Sequence, residues 1–174
     1  MAHFNLGNPD MGMVSTKTFR GALAIAGFTA ALGASSAFAH GVFSPFAGDW
    51  RGAGRISDIH GKSEALRCKS KMAPSPDGIA MSLDLVCASD SYRVDFHADL
   101  YTDGENLRGT WSEATRNATG NVSGVIRPDL ISARTEAPGF AANILIHVVA
   151  GKRLDVSLAA TGTSINRVQV SMKR

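Results

Sequence analysis

Two tryptophans, one carboxylate and one guanidinium are the side chains of this sequence best suited to hold a small molecule. Glu113 and Arg116 lie three positions apart, and Trp111 precedes Glu113 by two. Because alternate residues of a strand share one face, the alternation through Leu107 and Trp111 points Glu113 inward near a strand end, where it either anchors a ligand or reaches water. The candidate ligand-binding residues are therefore Trp50, Trp111, Glu113 and Arg116.

The other polar residues form no arrangement that supports catalysis. The sequence contains no Ser/His/Asp constellation, no glycine-rich phosphate loop and no strip of alternating aromatic and basic residues. Asp95 and Asp99 fall on the outer face of a predicted strand beside Arg93, as ordinary solvated surface charge. We therefore predict no catalytic residue, no metal site in the body of the chain and no cofactor, with an enzyme as the less favoured alternative.

The N-terminal segment has the layout of a secretory signal peptide. Lys17 and Arg20 precede an apolar run over residues 21–32, and an Ala-Phe-Ala tripeptide ends at Ala39. This order is typical of export, and the apolar run is shorter than the ~20 residues of a membrane-spanning helix. We predict that residues 1–39 are an N-terminal extension and cleaved signal peptide. The mature protein is then periplasmic or secreted in a bacterium and has no membrane span.

Cleavage there would leave a single domain over residues 40–174. This domain contains sixteen Lys and Arg residues and fourteen Asp and Glu residues, and no run of cations exceeds two residues. A net charge of about +2 with scattered cations does not predict a nucleic-acid partner. A histidine at a mature N-terminus can bind copper through its amino group and ring, as in the histidine-brace oxygenases, so a copper site at His40 stays open as an alternative.

Hydrophobic and polar residues alternate along most of the chain after residue 48, and turn residues interrupt the alternation at short intervals. No stretch keeps a helical period over three turns, so the pattern predicts short strands with one apolar face. Connections of about two to six residues favour an all-β, antiparallel up-and-down barrel of about 8–10 strands, with a β-sandwich as the alternative. The predicted strands lie at about 49–57, 64–72, 79–88, 92–101, 106–114, 119–127, 130–136, 140–149, 154–160 and 165–172.

Cys68 and Cys87 are the whole cysteine content of the chain, and in an exported protein such a pair predicts a disulfide. If Asp77 and Gly78 are the two central residues of a hairpin turn, the two cysteines lie directly opposite each other on neighbouring strands. Opposed residues of a non-hydrogen-bonded pair are close enough for this bond. Pro76 cannot donate to the ladder and leaves a longer loop open. The same register places Ser70 opposite Leu85 and Met72 opposite Leu83.

A short motif at the start of the first predicted strand, the run Gly48-Asp49-Trp50-Arg51-Gly52-Ala53-Gly54, resembles the first strand of calycin barrels. In lipocalins, fatty-acid-binding proteins and the nitrobindin-like group, this tryptophan closes one end of the barrel and the glycines let the strand bend. The resemblance implies an interior that binds a small apolar or amphipathic ligand. The haem-binding subgroup needs a histidine on a late strand. The one candidate, His147, lies on the face opposite Ile146, so no haem is predicted.

Several longer segments resemble small exported proteins of alphaproteobacteria. The resemblance would cover most of the chain after residue 39, and it implies export without implying a particular activity. The segments that carry it are Phe46–Gly54, Cys87–Tyr92, Gly109–Asn117 and Ala137–Ala142.

Two hypotheses for function follow from these patterns. The first is an exported barrel that binds a small apolar or amphipathic ligand inside, because inward glycines and alanines would leave volume there. The second is a packed envelope protein that acts through its outer surface, because Ile144–Val149 is apolar on both faces except at His147 and would form a homodimer or partner contact. The two hypotheses differ in whether the interior is open or filled.

Overall fold

Ten strands form one closed antiparallel barrel in the computed structural model, which describes residues 41–174. Each strand pairs with the next one along the chain, and the last pairs with the first, which is an up-and-down arrangement. The predicted barrel is therefore confirmed, and the closing pair excludes a sandwich because no sheet edge remains free. The strands are β1 (Gly48–Asp58), β2 (Ser63–Pro74), β3 (Ala80–Ala88), β4 (Arg93–Asp103), β5 (Asn106–Glu113), β6 (Ala118–Arg127), β7 (Leu130–Ala137), β8 (Phe140–Val149), β9 (Arg153–Thr161) and β10 (Ile165–Lys173).

Two predictions lie outside the described residues, namely the extension and signal peptide over residues 1–39 and the copper site at His40. Within residues 41–174, no helix is long and apolar enough to cross a membrane. The same part of the chain contains no group of three or more His, Cys, Asp or Glu side chains that could hold a metal ion.

The strands form because apolar residues recur at every second position, which gives each strand one face for the barrel interior. In β2, every second residue from Leu66 to Met72 is buried between exposed neighbours, as predicted. Ile79 was predicted to face inward at the start of the third strand, but it lies in the β2–β3 turn with 56% of its surface exposed. The strand starts one residue later because Gly78 still belongs to the turn, with a positive φ of 71°.

Cys68 and Cys87 form a disulfide between neighbouring strands, as predicted. They are directly opposed in the β2–β3 ladder, with Cα atoms 4.1 Å apart, and the predicted register holds along that ladder. The turn is longer than the predicted two-residue hairpin. The Gly78 N–H donates to the Ser75 carbonyl (2.9 Å), which puts Pro76 and the residue after it at the turn's centre. Proline fits this place because its fixed φ suits the second residue of a turn.

One end of the barrel is closed by the chain that precedes β1. A 3-10 helix, Ser44–Phe46, lies there, and both Phe43 and Phe46 are completely buried. Trp50 is also completely buried, and its Nε1 donates to the Phe46 carbonyl (2.8 Å). The Arg174 guanidinium lies 4.5 Å from the centre of the Trp50 ring and donates to a carbonyl of the 3-10 helix (2.8 Å). We call this end, which carries the β2–β3, β4–β5, β6–β7 and β8–β9 turns, the closed end.

The first strand approaches β10 very closely at its glycines. A Cβ atom on Gly54 would lie 1.9 Å from the Gln169 carbonyl oxygen, and one on Gly52 would lie 2.0 Å from the Ser171 carbonyl oxygen. A side chain at either position would force the two strands apart. The close approach of β10 therefore requires glycine at both positions.

Candidate functional site

The opposite end of the barrel contains an apolar cavity of about 360 Å³. This end carries the β1–β2, β3–β4, β5–β6, β7–β8 and β9–β10 turns, and we call it the open end. The exposed turn residues Arg116, Pro138 and Gly162 line the cavity, so the cavity reaches the surface there. Pockets that hold small molecules are mostly apolar and measure roughly 300–1,000 Å³. The size and lining of this cavity therefore suit a small ligand.

The cavity exists because inward side chains near the open end are small. Ala118, Ala137 and Ala160 line it at the ends of their strands. Toward the closed end, inward positions hold larger residues such as Met81 and Leu107, which are almost completely buried. Since the number and tilt of the strands fix the width of a barrel, small inward residues leave space and large ones fill it.

Three aromatic rings form one wall of the cavity. The Trp111 ring stacks on Phe96, with ring centres 5.8 Å apart, and meets Phe140 edge-on at 5.6 Å. The Trp111 Nε1 is buried and has no hydrogen-bond acceptor within residues 41–174. It lies against Gly120, where a Cβ atom would come within 2.7 Å of it. The wall is thus a packed apolar surface with one unpaired donor beside the β6 backbone.

Glu113 lies at the mouth of the cavity, where its carboxylate accepts hydrogen bonds mainly from the β5–β6 turn. Oε1 accepts hydrogen bonds from the Asp95 N–H (2.9 Å) and from the N–H and hydroxyl of Thr115 (3.2 and 2.6 Å). Oε2 accepts from the N–H and guanidinium of Arg116 (2.9 and 3.2 Å). Burial alone raises the pKa of Glu113, but these donors outweigh it and hold the pKa below its ordinary value. These five donors, four from the β5–β6 turn and one from β4, fill the acceptor capacity of the carboxylate.

Neutralising Glu113 is expected to destabilise the protein at neutral pH. In Glu113→Gln one acceptor oxygen replaces two, so part-buried N–H groups that now donate to Glu113 lose their partner at a cost of about 1–3 kcal/mol. Because the folded-state pKa is lowered, the stabilisation is present above the ordinary glutamate pKa and is lost as the pH falls through the folded-state value. Urea unfolding should therefore separate wild type from variant at neutral pH and bring them together in acid. Equal stabilities at neutral pH would contradict this role.

The structure brings three of the four predicted ligand-binding residues together. Trp111, Glu113 and Arg116 all line the cavity. Trp50 does not, because it lies at the closed end under the Arg174 guanidinium. The candidate site at the open end therefore consists of the aromatic wall and the β5–β6 turn, without Trp50.

Several lining residues were missed by the sequence analysis. Phe140 completes the aromatic wall, and the disulfide between Cys68 and Cys87 forms another part of the lining. The register of the β7–β8 hairpin could have revealed Phe140, because this residue pairs with Ala137 directly across the turn. An inward residue beside a turn is close to one end of the barrel, and the sequence marks that turn with Pro138 and the glycine after it.

The outer face of β8 has the composition that the sequence pattern predicts, with an apolar residue on either side of His147. Every second residue from Ile144 to Val148 points inward, and in the outward set Leu145 is 43% exposed. His147 faces outward as predicted, with Nε2 3.5 Å from a carboxylate of the β6–β7 turn. A homodimer through Ile144–Val149 stays a prediction. Among the residues that the structure describes, Leu145 is the one strongly exposed large apolar residue on this strand that could form such a contact.

No protein-family model and no curated protein matches the chain. The S-type phycobiliprotein lyase CPES of Guillardia theta has a similar structure, with a TM-score of 0.52 at 15% identity over 75% of this chain and 88% of the other. The redesigned β-barrel mFAP1, solved with DFHBI bound, gives a TM-score of 0.47 at 6% identity over 76% and 98% of the two chains. A de novo designed fluorescence-activating β-barrel gives 0.42 at 12% identity over 74% and 93%. The likeness to the lyase shows a shared barrel fold, which agrees with a calycin-like barrel.

Proposed function

We propose that this protein binds a small amphipathic molecule, with its apolar part inside the barrel and an anionic group at the mouth. The observation that carries the proposal is the cavity of about 360 Å³, which is closed at one end, open at the other and lined mainly by apolar side chains. Burial of apolar ligand surface supplies the affinity, at roughly 25 cal/mol per Å² before the costs of association.

The aromatic wall favours a ligand with a ring or another flat apolar part. Trp111 is held between Phe96 and Phe140, so the wall is already ordered before a ligand enters. A preformed site saves the ligand the cost of ordering side chains on binding. Stacking against an aromatic face adds ~0.5–1.5 kcal/mol beyond the burial of apolar surface.

Arg116 is the residue that we propose for the anionic group of the ligand. Its Nη1 donates to Glu113, to the Thr115 hydroxyl and to the Arg93 carbonyl, which fixes the guanidinium at the mouth. The side chain is 46% exposed, and its Nε and Nη2 have no acceptor within residues 41–174. Two free N–H groups in the plane of a guanidinium match a carboxylate, sulfonate or phosphate.

We also propose that the protein is exported. The order of cations, apolar run and A-x-A site over residues 17–39 supports export. The disulfide supports a location outside the cytoplasm, because such bonds persist in oxidising compartments. The mass of the chain recovered from the producing cells tests this proposal. A chain that starts at His40 is expected, and an intact N-terminus would contradict export.

Titration with 1-anilinonaphthalene-8-sulfonate tests the cavity, because this fluorescent probe joins apolar rings to an anionic sulfonate. Ala160 lines the cavity, whereas the adjacent Ala159 is exposed on the outside of the same strand. Ala160→Trp fills the mouth and is expected to weaken binding at least about tenfold, which corresponds to ~1.4 kcal/mol. The matched control Ala159→Trp adds the same side chain outside the barrel and should leave binding unchanged. Equal binding by both folded variants would contradict the cavity as the site.

Arg116→Gln tests the anionic anchor with the same titration. A hydrogen bond to a charged group contributes ~1.5–3 kcal/mol, so binding of the sulfonate probe should weaken about tenfold or more. The neutral analogue N-phenyl-1-naphthylamine lacks the sulfonate, and its binding should change little. If the variant weakens both probes equally, Arg116 shapes the mouth and does not bind the anion.

A further inference from the structure

A basic face covers one side of the barrel, where β10, β1 and β2 are neighbours. Seven exposed cations on these three strands make up this face, and all of them belong to the outward set of residues. Residues 51–71 and 167–173 meet there because β10 closes the barrel against β1. The basic face consists of Arg51, Arg55, Arg67, Lys69, Lys71, Arg167 and Lys173.

The cations of the basic face are crowded, and among them only Arg55 has a side-chain partner within the described chain, since its Nε donates to the Ser63 hydroxyl (3.1 Å). Arg51 lies directly opposite Lys69 on one neighbouring strand and Lys173 on the other. Within residues 41–174, no cation of the basic face takes part in an ion pair. Like charges directly opposite each other on neighbouring strands destabilise a sheet. The fold thus keeps an unfavourable group of like charges around Arg51, which no ion pair within the described chain offsets.

The acidic side chains of the same three strands lie at the ends of the basic face, and two of them already form hydrogen bonds or an ion pair. Asp58 accepts two backbone N–H groups of the β1–β2 turn, each at 2.9 Å. Glu64 pairs with Lys62 of that turn at 2.9 Å. Asp49 lies at the other end of β1, beside the closed end, where it is directly opposite Lys71, and Asp84 of β3 lies opposite Lys71 on the other side. The centre of the basic face therefore carries positive charge alone.

We propose that the basic face binds the anionic surface of a phospholipid membrane. The face extends along the barrel, from Lys71 near the closed end to Arg55 and Arg167 near the open end. A convex barrel touches a flat surface along a lengthwise stripe, and three strands about 4.8 Å apart give a stripe of that shape. Each cation held near an anionic membrane surface contributes ~1 kcal/mol.

Nucleic acid suits the basic face less well than a membrane surface does. Proteins that bind single strands combine a basic groove with aromatic side chains on which the bases stack. The three strands of the face carry no exposed aromatic or other strongly exposed large apolar residue within the described chain. The lack of such residues also means that electrostatic attraction, and not insertion into the bilayer, holds the barrel at the membrane surface.

A second copy of the chain is also a poor match. Asp84, Asp95 and Asp99 on the outer faces of β3 and β4 would be its complement, but these three carboxylates already have partners. His97 lies 2.7 Å from Asp84 and 3.3 Å from Asp99, and Arg93 lies 3.7 Å from Asp95. These carboxylates would have to exchange existing partners for the cations of a neighbour, which yields little net attraction.

Binding to phospholipid vesicles tests the proposal with two charge-matched triple variants of the full chain. One variant removes three cations from the basic face, and the control removes three exposed cations from β5, β6 and β7. Each protein is mixed with vesicles of phosphatidylglycerol and phosphatidylcholine, and with vesicles of phosphatidylcholine alone. The neutral vesicles measure any binding by the apolar N-terminal segment, which all the proteins carry. The variants are Arg67→Gln/Lys69→Gln/Lys71→Gln and Arg108→Gln/Arg127→Gln/Arg134→Gln.

Wild type and control are expected to bind the anionic vesicles and not the neutral ones, and added salt should weaken this binding. The basic-face variant should bind on the order of 100-fold more weakly, since three cations are lost from the contact. Equal losses in the two triple variants would overturn the proposal, because net charge alone would then explain binding. Failure of wild type to bind anionic vesicles, or tighter binding to single-stranded DNA or to itself through the basic face, would also overturn it.

Discussion

Trp50→Ala is expected to lower the free energy of unfolding by about 3–5 kcal/mol, as large-to-small changes in a packed core do. Trp50 is completely buried at the closed end, and it contacts both the Phe46 carbonyl and the Arg174 guanidinium. Alanine would leave a cavity and remove the hydrogen-bond donor to the Phe46 carbonyl. It would also take away the ring against which the Arg174 guanidinium packs. Urea unfolding followed by circular dichroism measures the change.

Two further variants separate the causes of this loss. Trp50→Phe keeps most of the apolar volume but loses the Nε1 donor, so the expected loss is about 1 kcal/mol from the hydrogen bond plus a small packing cost. Trp111→Ala removes the same side chain from a wall that already borders a cavity, and it should cost less than Trp50→Ala. A Trp50→Ala variant within about 1 kcal/mol of wild type would contradict the packing of the closed end.

Removing the disulfide is the second large change, and Cys68→Ala/Cys87→Ala is expected to cost about 3 kcal/mol on the chain-entropy model. The bond joins residues 19 positions apart and so restricts the unfolded chain. Chemical denaturation with and without reductant measures the effect. Reductant should bring wild type down to the stability of the variant, and it should leave the variant unchanged.

The cavity offers an internal control for this experiment. Both cysteines line the cavity, and alanine keeps that part of the wall apolar, so binding of the sulfonate probe should change far less than stability does. Two reactive thiols in denatured, unreduced wild-type protein would contradict the disulfide.

The barrel was largely predictable because strand periodicity is a local property of the sequence. Each predicted strand overlaps an observed one, and the β2–β3 register follows from the spacing of Cys68 and Cys87 about one turn. The turn itself was placed one residue too late, because both Pro76 and Gly78 are strong turn residues and the sequence does not say which of them is central. Ile79 was misplaced because the turn is longer than two residues, and Gly78, with its positive φ, still belongs to it.

The candidate site was less predictable because alternation does not report position along the barrel axis. Trp50 and Trp111 both point inward, yet one closes the barrel and the other lines the cavity at the opposite end. Strand stagger sets this position, and it depends on the whole barrel. Glu113 was correctly placed inward, but four of the five hydrogen bonds to its carboxylate come from a turn whose conformation the sequence left open.

The basic face escaped the sequence analysis for a related reason. Its cations alternate with buried residues in Arg67-Cys68-Lys69-Ser70-Lys71, so they form no continuous run. The strand β10 adds its cations almost a hundred residues later in the chain. The cations looked scattered along the sequence, whereas barrel closure collects them on one side. A count of outward positions on β2 alone would have given the first indication.

Native mass spectrometry of the protein isolated without denaturation from the cells that produce it tests ligand binding most directly. The proposal predicts a native mass above that of the polypeptide and one small amphipathic molecule per chain, which is released on denaturation. Ala159→Trp should retain this molecule, and Ala160→Trp should lose it while keeping its fold. A native wild-type mass equal to that of the polypeptide, or the same bound molecule on Ala160→Trp, would contradict a ligand site inside the barrel.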